Sequence, residues 1–476
     1  YSGCMYLCIP RLGTYLLHDR LSSFWALKKE EEIEESLMKV LKDVGPPPSA
    51  PLAAKYKRSF AFPSMNERVP VIITKIIDYI VRDKKNIIQN FGENAEEEIK
   101  AVIGEISELK NHLQTAKCFQ EFSSDSPDTE LWNSEIRNRK SKGDPLNYYE
   151  SDWLFSECYL YRRIKEIFAT KKLLCNLDPF SYQKEPVLSQ SIEDLGPHLR
   201  RLIDQKVFDK DHQLSPTDIK SNLSYLIKCS LWANRMDMSL SGGNTDVALD
   251  VIDLVHNWDS NILVDHTDQV SSIVLGKDPL DVVDLVTDNG AIELLNDLIL
   301  ADFLVTRCRV KKVHFRVKPM YWYVSDVTQH DFHSTINIIS RHSLDHYKFF
   351  GTRWRSFIDQ GIWEVSSETF WCLGLPYSDM ARVDPAFFAE LKASPLVIFK
   401  GDLNYRKLVQ DRNWKTTTSF SEALGDFSPV VLLALRTCKA DTIAGLEPGT
   451  AENISKQSPD WMVSGEYGLI QFNSGQ

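Results

Sequence analysis

Apolar positions in the first half of the chain recur at intervals of three and four residues, the spacing of an amphipathic helix. This spacing predicts helices at four stretches, within residues 69–80, 99–113, 153–168 and 219–231. We interpret residues 57–240 as a helical domain. Residues 1–56, which include a run of three prolines, are interpreted as a mobile extension.

The pattern changes after residue 280, where short runs of apolar and β-branched residues alternate with helical spacing. These runs predict six strands, the last of them an edge strand: Val282–Val286, Val313–Val317, Tyr321–Val324, Leu396–Phe399, Val430–Leu435 and Leu469–Phe472. A helix is predicted from Ile292 to Leu304. Strands that alternate with helices are typical of a doubly wound sheet. The predicted fold class is therefore α/β, with a three-layer α/β/α core over residues 241–476.

Acids, amides and cations follow four of these strands, at the point where each strand ends. Because ligands of open α/β sheets bind beyond the carboxyl ends of the strands, we expect these side chains to share one edge. Asp288, Asn289 and Asp326 would offer three oxygens to one divalent cation such as Mg²⁺ or Mn²⁺. Gly401 would let backbone N–H groups approach an anion, and Lys439 would add a positive charge.

Each of these segments also has a simpler interpretation. Asp288-Asn289-Gly290 could be a tight turn, since Asn-Gly sequences tolerate positive φ. Asp326 could cap the following helix or be solvated, and Gly401-Asp402 could be a plain strand-to-helix turn. Arg436 and Lys439 could be surface charges. One shared site explains polar residues at all four strand ends, whereas the simpler interpretations would require four independent coincidences.

The amino-acid composition limits the kinds of molecule that the protein is expected to bind. The chain has 55 basic and 66 acidic residues and a net charge of −11, which argues against nucleic acid or an anionic membrane as the main partner. It contains no apolar run of about 18 residues, the length that would span a membrane. Nine cysteines without a CxxC pair or a cysteine–histidine cluster indicate reduced thiols in a cytoplasmic or nuclear protein.

Six segments of the chain resemble a known family. They are WLFSECYLYRRI, SLWANRMDMSL, DNGAIEL, YVSD, FKGDLNYRKL and RTCKAD, which begin at Trp153, Ser230, Asp288, Tyr323, Phe399 and Arg436. From about residue 57 onward, the chain is similar to the damage-control phosphatase family, first catalogued as domain of unknown function 89. Within that family it resembles subfamily III, which contains the eukaryotic sugar-phosphate phosphatase and acidic residue methyltransferase one.

The resemblance implies a helical N-terminal domain packed on the α/β/α core. It also implies hydrolysis of small sugar phosphates, such as fructose 1-phosphate and fructose 6-phosphate, at a single Mn²⁺-, Co²⁺- or Ni²⁺-dependent site. The ligands of that cation would be Asp288, Asn289 and Asp326, which would act in catalysis together with Lys439. The substrate would contact Asp288, Asn289, Asp402, Leu403, Asn404, Tyr405, Arg406 and Lys439.

Two other functions stay open. Some members of the family are described as S-adenosylmethionine-dependent methyltransferases of acidic side chains in proteins, and Glu293 and Asp326 would then contact the cofactor. No G-x-G-x-x-G loop follows a predicted strand, so the residues themselves give this alternative little support. A non-catalytic module that senses a phosphorylated metabolite would not need the cation ligands. Asn234 and Asp237 also match a family signature and are expected near the pocket.

Overall fold

A seven-stranded sheet forms the centre of the computed structural model, which describes residues 40–241 and 255–475, with the backbone alone at 237–241. The strands are β1 Ile262–Asp265, β2 Val282–Val286, β3 Lys312–Arg316, β4 Trp363–Ser366, β5 Val397–Lys400, β6 Val431–Thr437 and β7 Gly468–Ser474. Their order across the sheet is β1-β7-β6-β5-β2-β3-β4. Neighbouring strands are parallel except β6 and β7, which are antiparallel. The predicted α/β fold class is confirmed.

Helices precede the sheet in the chain and then alternate with its strands. Those before β1 are α1 Val69–Arg82, α2 Lys84–Phe91, α3 Ala95–Gln114, α4 Thr129–Lys142, α5 Trp153–Ala169, α6 Ser181–Asp204 and α7 Pro216–Ser241. Those after β1 are α8 Thr267–Val274, α9 Ala291–Thr306, α10 Gln329–Ser340, α11 Asp345–Asp359, α12 Pro385–Ala393, α13 Gly401–Leu408, α14 Phe420–Leu424 and α15 Thr450–Ser455. The five helices predicted from apolar spacing are confirmed by α1, α3, α5, α7 and α9. Among the described helices, none has both the length and the apolar character needed to cross a bilayer.

Each face of the sheet carries its own hydrophobic core, because alternate residues of a strand point to opposite faces. In β5, Val397 and Phe399 pack into one core and Ile398 packs into the other. The first core joins the sheet to α1–α5 and α12–α14, and the second contains α6–α11. Burial on both faces explains why Val397–Phe399 of β5 and Leu432–Leu435 of β6 are continuous apolar runs rather than alternating ones.

The segments that precede α1 and follow α5 in the chain also pack in the two hydrophobic cores. Helices α6 and α7 lie in the second core, although they belong to the predicted helical domain of residues 57–240. Leu52, near the end of the predicted extension, is 1% exposed, and its carbonyl accepts a 2.7 Å hydrogen bond from the N–H of Trp153. Residues 1–39 lie outside the described part of the chain. The predicted domain boundaries stay predictions.

One predicted strand, Tyr321–Val324, is a turn in the structure. Tyr323 and Val324 adopt positive φ angles of 41° and 74°, which no strand contains. Trp322 is buried in the first core, and the Tyr323 ring stacks on Tyr161 with the ring centroids 4.5 Å apart. Tertiary packing of the aromatic rings therefore overrides the β propensity of this run.

The outer strands of the sheet also differ from the prediction. The run Leu469–Phe472 forms the middle of β7, but β7 is not an edge strand, because β1 pairs with its free side. Both edge strands, β1 and β4, are missing from the prediction. Each has only four residues, too few for an apolar pattern to stand out.

Gly351 is the point of closest approach between α10 and α11. A Cβ atom at this position would lie 2.3 Å from the backbone nitrogen of Ser340 and 2.4 Å from its Cα. Backbone atoms cannot rotate away, so Gly351→Ala must push the two helices apart. We expect it to lower the free energy of unfolding by about 1–3 kcal/mol, measured by urea denaturation.

Gly104→Ala in α3 is the matched control, because an added Cβ there would meet nothing within 4 Å. Alanine favours a helix over glycine, so this variant should gain about 0.5–1 kcal/mol. Similar effects of the two substitutions would contradict the packing of α11 against α10.

Candidate active site

The carboxyl ends of β2 and β5 lie side by side at the centre of the sheet. From β2 the chain continues to β3 on one side, and from β5 it continues to β6 on the other, so a crevice opens between the two loops. Asp288 and Asn289 follow β2, and Gly401 follows β5. A cavity of about 1100 Å³ is lined by all three residues.

The segment Ser325–Val327 docks on the loop that follows β2. Two main-chain hydrogen bonds, of 2.8 and 2.9 Å, join it to Asp288–Gly290. Asn289 and Asp326 pair between them as an isolated β-bridge. The structure thus places Asp326 beside Asp288 and Asn289, although the residues before it form a turn instead of a strand.

Asp288 and Asp326 are both buried, with exposed fractions of 7% and 1%. Burial raises the pKa of both carboxyl groups, and the pKa of Asp288 lies well above its usual range because Glu293 and Asp326 are also close. Lys318 opposes this effect, since its Nζ lies 3.2 Å from Oδ2 of Asp326. The crowded carboxyl groups form a place where a bound divalent cation would relieve repulsion.

Gly401 leaves room for the Asp288 side chain. Its φ is +88°, and an added Cβ would lie 1.9 Å from Oδ2 of Asp288. The segment is indeed the strand-to-helix turn between β5 and α13, but a turn alone does not require this close approach. The first turn of α13 also lines the cavity, and N–H groups in the first turn of a helix have no partner within the helix.

The amide of Asn289 has its orientation fixed by its neighbours. Its Nδ2 donates to Oε1 of Glu293 at 2.7 Å and to Oδ2 of Asp288 at 3.0 Å, and carboxylate oxygens can only accept. Its Oδ1 therefore points the other way, where it accepts from the hydroxyl of Ser325 at 2.5 Å. A carbonyl oxygen has a second lone pair, which is available to a cation.

Asn234 of α7 connects this arrangement to Lys439. Its Nδ2 donates to Oε1 of Glu293, and its Oδ1 accepts from Nζ of Lys439. A chain of hydrogen bonds therefore runs from Lys439 through Asn234 and Glu293 to Asn289. The side chain of Asp237, also expected near the pocket, lies outside the described residues.

The donor set fits a hard or borderline divalent cation. Asp288 and Asp326 offer carboxylate oxygens and Asn289 offers an amide oxygen, which are ligand types that Mg²⁺ and Mn²⁺ accept. In the part of the chain that the structure describes, no group of three or more histidine, cysteine or acidic side chains could hold a metal ion. Asp288, Asn289 and Asp326 would instead offer two carboxylates and one amide.

The predicted substrate contacts after β5 divide into two groups. Asp402, Leu403 and Arg406 line the cavity, whereas Asn404 and Tyr405 are buried beneath it. Asn404 instead binds main-chain atoms: its Nδ2 donates to the carbonyl of Thr287, directly after β2, at 3.2 Å and to that of Lys400, the last residue of β5, at 2.7 Å. It thereby ties the two loops of the crevice together.

Arg436 is a buried residue, 1% exposed, and not a surface charge. The Cζ atom of its guanidinium group lies 4.2 Å from the centroid of the Tyr405 ring, and its Nε donates to Oδ1 of Asp402 at 2.8 Å. The backbone N–H of Lys439 donates to the same oxygen at 3.1 Å. These bonds fasten the segment after β6 to α13 and bring the Lys439 side chain to the cavity wall.

The cap interpretation of Asp326 does not hold. Helix α10 is capped by Thr328 and Asp331, whose side chains and backbone N–H groups bind each other reciprocally. Lys318 and Arg68 are cations near the site that were not among the predicted residues. Lys318 lies two residues past β3, so the rule that selected the other strand ends would have found it. Arg68 lines the cavity from the helical layer, and no local spacing connects it with the sheet.

Comparisons with known proteins identify the family. A family model described as the damage-control phosphatase ARMT1-like domain matches residues 64–454. This chain belongs to that family. Proteins named damage-control phosphatase ARMT1 from Danio rerio and Mus musculus are each 36% identical to it, over 90% and 89% of this chain and 97% and 98% of theirs. Membership in the damage-control phosphatase ARMT1-like family supports a phosphatase role in metabolite repair.

A solved structure was also matched. The crystal structure of a DUF89 family protein from Pyrococcus horikoshii, at 2.04 Å resolution, covers 73% of this chain and 92% of its own. The sequence identity is 13% and the TM-score is 0.39.

Gly401→Ala is expected to displace the Asp288 carboxyl group, because the new Cβ would occupy its position. Loss of one well-placed oxygen should weaken Mn²⁺ binding by about 10-fold or more, measured by electron paramagnetic resonance of free Mn²⁺. Gly143→Ala is the matched control: its φ is +74°, so it has similar backbone strain, but an added Cβ meets nothing within 4 Å. Equal Mn²⁺ affinity in the two variants would rule out this role of Gly401.

Proposed function

We propose that this chain is a divalent-cation-dependent phosphatase of small sugar phosphates, of the fructose 1-phosphate and fructose 6-phosphate type, in metabolite damage control. The observation that carries the proposal is the meeting of Asp288, Asn289 and Asp326 at the cavity. One oxygen from each would hold the cation (Mn²⁺, Co²⁺, Ni²⁺ or Mg²⁺), which when bound supplies charge that polarises a phosphate ester. Family membership supports the same class of reaction.

Lys439 and the start of α13 would bind the phosphate in this proposal. The Lys439 ammonium is a compact positive charge at the cavity wall, suited to a phosphate oxygen. Its position is set in advance, because Asn234 accepts from its Nζ and Asp402 accepts from its backbone N–H. Donors that are already in place stabilise the negative charge that develops in the transition state without reorganising.

Asp288→Asn tests the proposal directly. Wild-type protein with Mn²⁺ is expected to release phosphate from fructose 1-phosphate, and the variant is expected to be slower by about 100-fold or more. The variant keeps the shape of the side chain and removes an acid whose pKa burial already raises, so the metal-free protein should stay folded. Thermal unfolding checks this point.

The activity screen combines each of the four cations with both fructose phosphates, with a chelator as the blank. Equal phosphate release from wild type and Asp288→Asn would reject the site. A stable complex of wild type, Mn²⁺ and unhydrolysed fructose 1-phosphate would instead favour a metabolite-binding module.

Glu293→Gln tests the chain of hydrogen bonds that orients Asn289. Glutamine can face Asn289 with either its oxygen or its NH₂ group, so the amide of Asn289 is no longer held with Oδ1 turned toward Ser325. We expect Mn²⁺ affinity to fall by about 10- to 100-fold, the usual effect of losing a group that orients a ligand. Calorimetric titration of Mn²⁺ measures the change.

Glu166→Gln is the matched control for this substitution. Glu166 is also buried and hydrogen-bonded, to the N–H groups of Ser123 and Ser124 at 2.7 and 2.8 Å, but it lies in the helical layer away from the cavity. It should lower the unfolding temperature and leave Mn²⁺ affinity unchanged. Unchanged affinity in Glu293→Gln would exclude an orienting role for Glu293.

A further inference from the structure

Arg68 is a cation of the cavity wall that the proposed phosphate chemistry does not use. It ends the π-helical turn Ser64–Arg68, which runs directly into α1. Its side chain is 51% accessible, and it belongs to the lining of the cavity. Single π-helical turns inside a helix are frequent at functional sites.

Glu157 of α5 is buried and holds the Arg68 side chain by a hydrogen bond. Its Oε1 accepts from Nη2 of Arg68 at 2.8 Å, and the hydroxyl of Ser64 lies 3.5 Å from the same oxygen. Its Oε2 accepts from Arg406 and from the hydroxyl of Tyr323, at 2.8 and 3.0 Å. Because Glu157 is fully buried and bonded on both oxygens, it can hold the Arg68 guanidinium in one place.

Arg406, the arginine expected to contact substrate, is committed to other partners. Its Nε and Nη2 donate to Asp411 at 2.8 and 2.9 Å, and its Nη1 donates to Glu157. The Cζ atom of its guanidinium group also lies 3.5 Å from the centroid of the Trp153 ring. Every nitrogen of the group therefore has a protein acceptor. Arg68 has one such hydrogen bond among the described residues, to Glu157, which leaves most of its N–H groups for a ligand.

An aromatic pair joins α5 to the turn that leads to Asp326. The rings of Tyr161 and Tyr323 stack with an interplanar angle of 24°, and Tyr323 precedes Asp326 by three residues. Arg68 and the hydroxyl of Tyr323 both donate to Glu157, and Arg68 and Tyr323 line the same cavity as Asp326.

We propose that Arg68 binds a second anionic group of the substrate, a phosphate or a carboxylate, at the end remote from the phosphate that is hydrolysed. A guanidinium group presents a planar fork of N–H donors that matches such an anion in a bidentate way. The inference rests on the proposed phosphatase function, because it requires the reacting phosphate at Asp326. Sugar bisphosphates and phosphorylated sugar acids would then be bound more tightly than sugar monophosphates.

Steady-state kinetics with Mn²⁺ test the inference on four probes. Fructose 1,6-bisphosphate and 6-phosphogluconate carry a second anion, whereas fructose 1-phosphate and fructose 6-phosphate do not. Arg68→Gln should raise KM about 10-fold or more for the first two probes, the loss expected for a charged hydrogen bond. For the monophosphates KM should stay within about 2-fold, and kcat should change little for all four probes, since the contact is remote from the reacting bond.

Arg68→Lys keeps the charge without the fork, so it should fall between wild type and Arg68→Gln. A larger effect on one of the two probes that carry a second anionic group identifies phosphate or carboxylate as the preferred anion. Glu157 keeps Arg406 and Tyr323 as partners in both variants, so they should fold, which thermal unfolding checks. Arg82→Gln, at the far end of α1 and 79% exposed, is the matched control and should alter no KM.

An equal rise of KM for all four probes, or no rise for any of them, would overturn the inference. If wild type hydrolyses none of the probes, the proposed function fails, and affinity can then be measured by calorimetry without turnover. In that case fructose 1,6-bisphosphate is titrated into wild type and Arg68→Gln with Mn²⁺ present. Weaker binding by the variant supports the second anion position, and equal binding overturns it.

Discussion

Two buried carboxyl groups, those of Asp288 and Asp326, are held side by side although like charges repel strongly where water is excluded. Main-chain hydrogen bonds between Asp288–Gly290 and Ser325–Val327 hold them there. Because these bonds use backbone atoms, the side chains stay free to offer oxygens to the cavity. The surrounding residues make this arrangement tolerable: Gly401 leaves space for one carboxyl group, and Lys318 offsets the charge of the other.

The helical layers shape the cavity from two sides. On one side, Asn234 of α7 and Glu293 of α9 link Lys439 to Asn289. On the other side, Glu157 of α5 links Arg68 to the turn that leads to Asp326. Each connection uses a carboxylate that accepts from two or more donors, so each donor is held in a definite place. The loops at the sheet edge bring Asp288, Asn289 and Asp326 together, and the helices set the positions of Lys439 and Arg68 around them.

The sequence predicted strands and site residues correctly where a single physical rule decides the local structure. The central strands are buried on both faces, so their apolar runs stood out, and polar residues after β2 and β5 were expected at the sheet edge. Tyr321–Val324 was mistaken for a strand because its aromatic residues are needed in the core between sheet and helices. Arg68 could not be found, since its hydrogen-bond partner Glu157 is 89 residues away in sequence and no local spacing connects the two.

The position of β7 has a consequence for how the protein is made. Within the described residues, β1 joins the sheet only through β7, which lies between β1 and β6. A ribosome that has synthesised Ile262–Asp265 must continue past residue 468 before this strand has a partner. Until then β1 and the open side of β6 are unpaired edges, which other chains can recognise. Closure of the sheet is therefore a late event in biosynthesis, during which the unpaired edges stay open to wrong pairing.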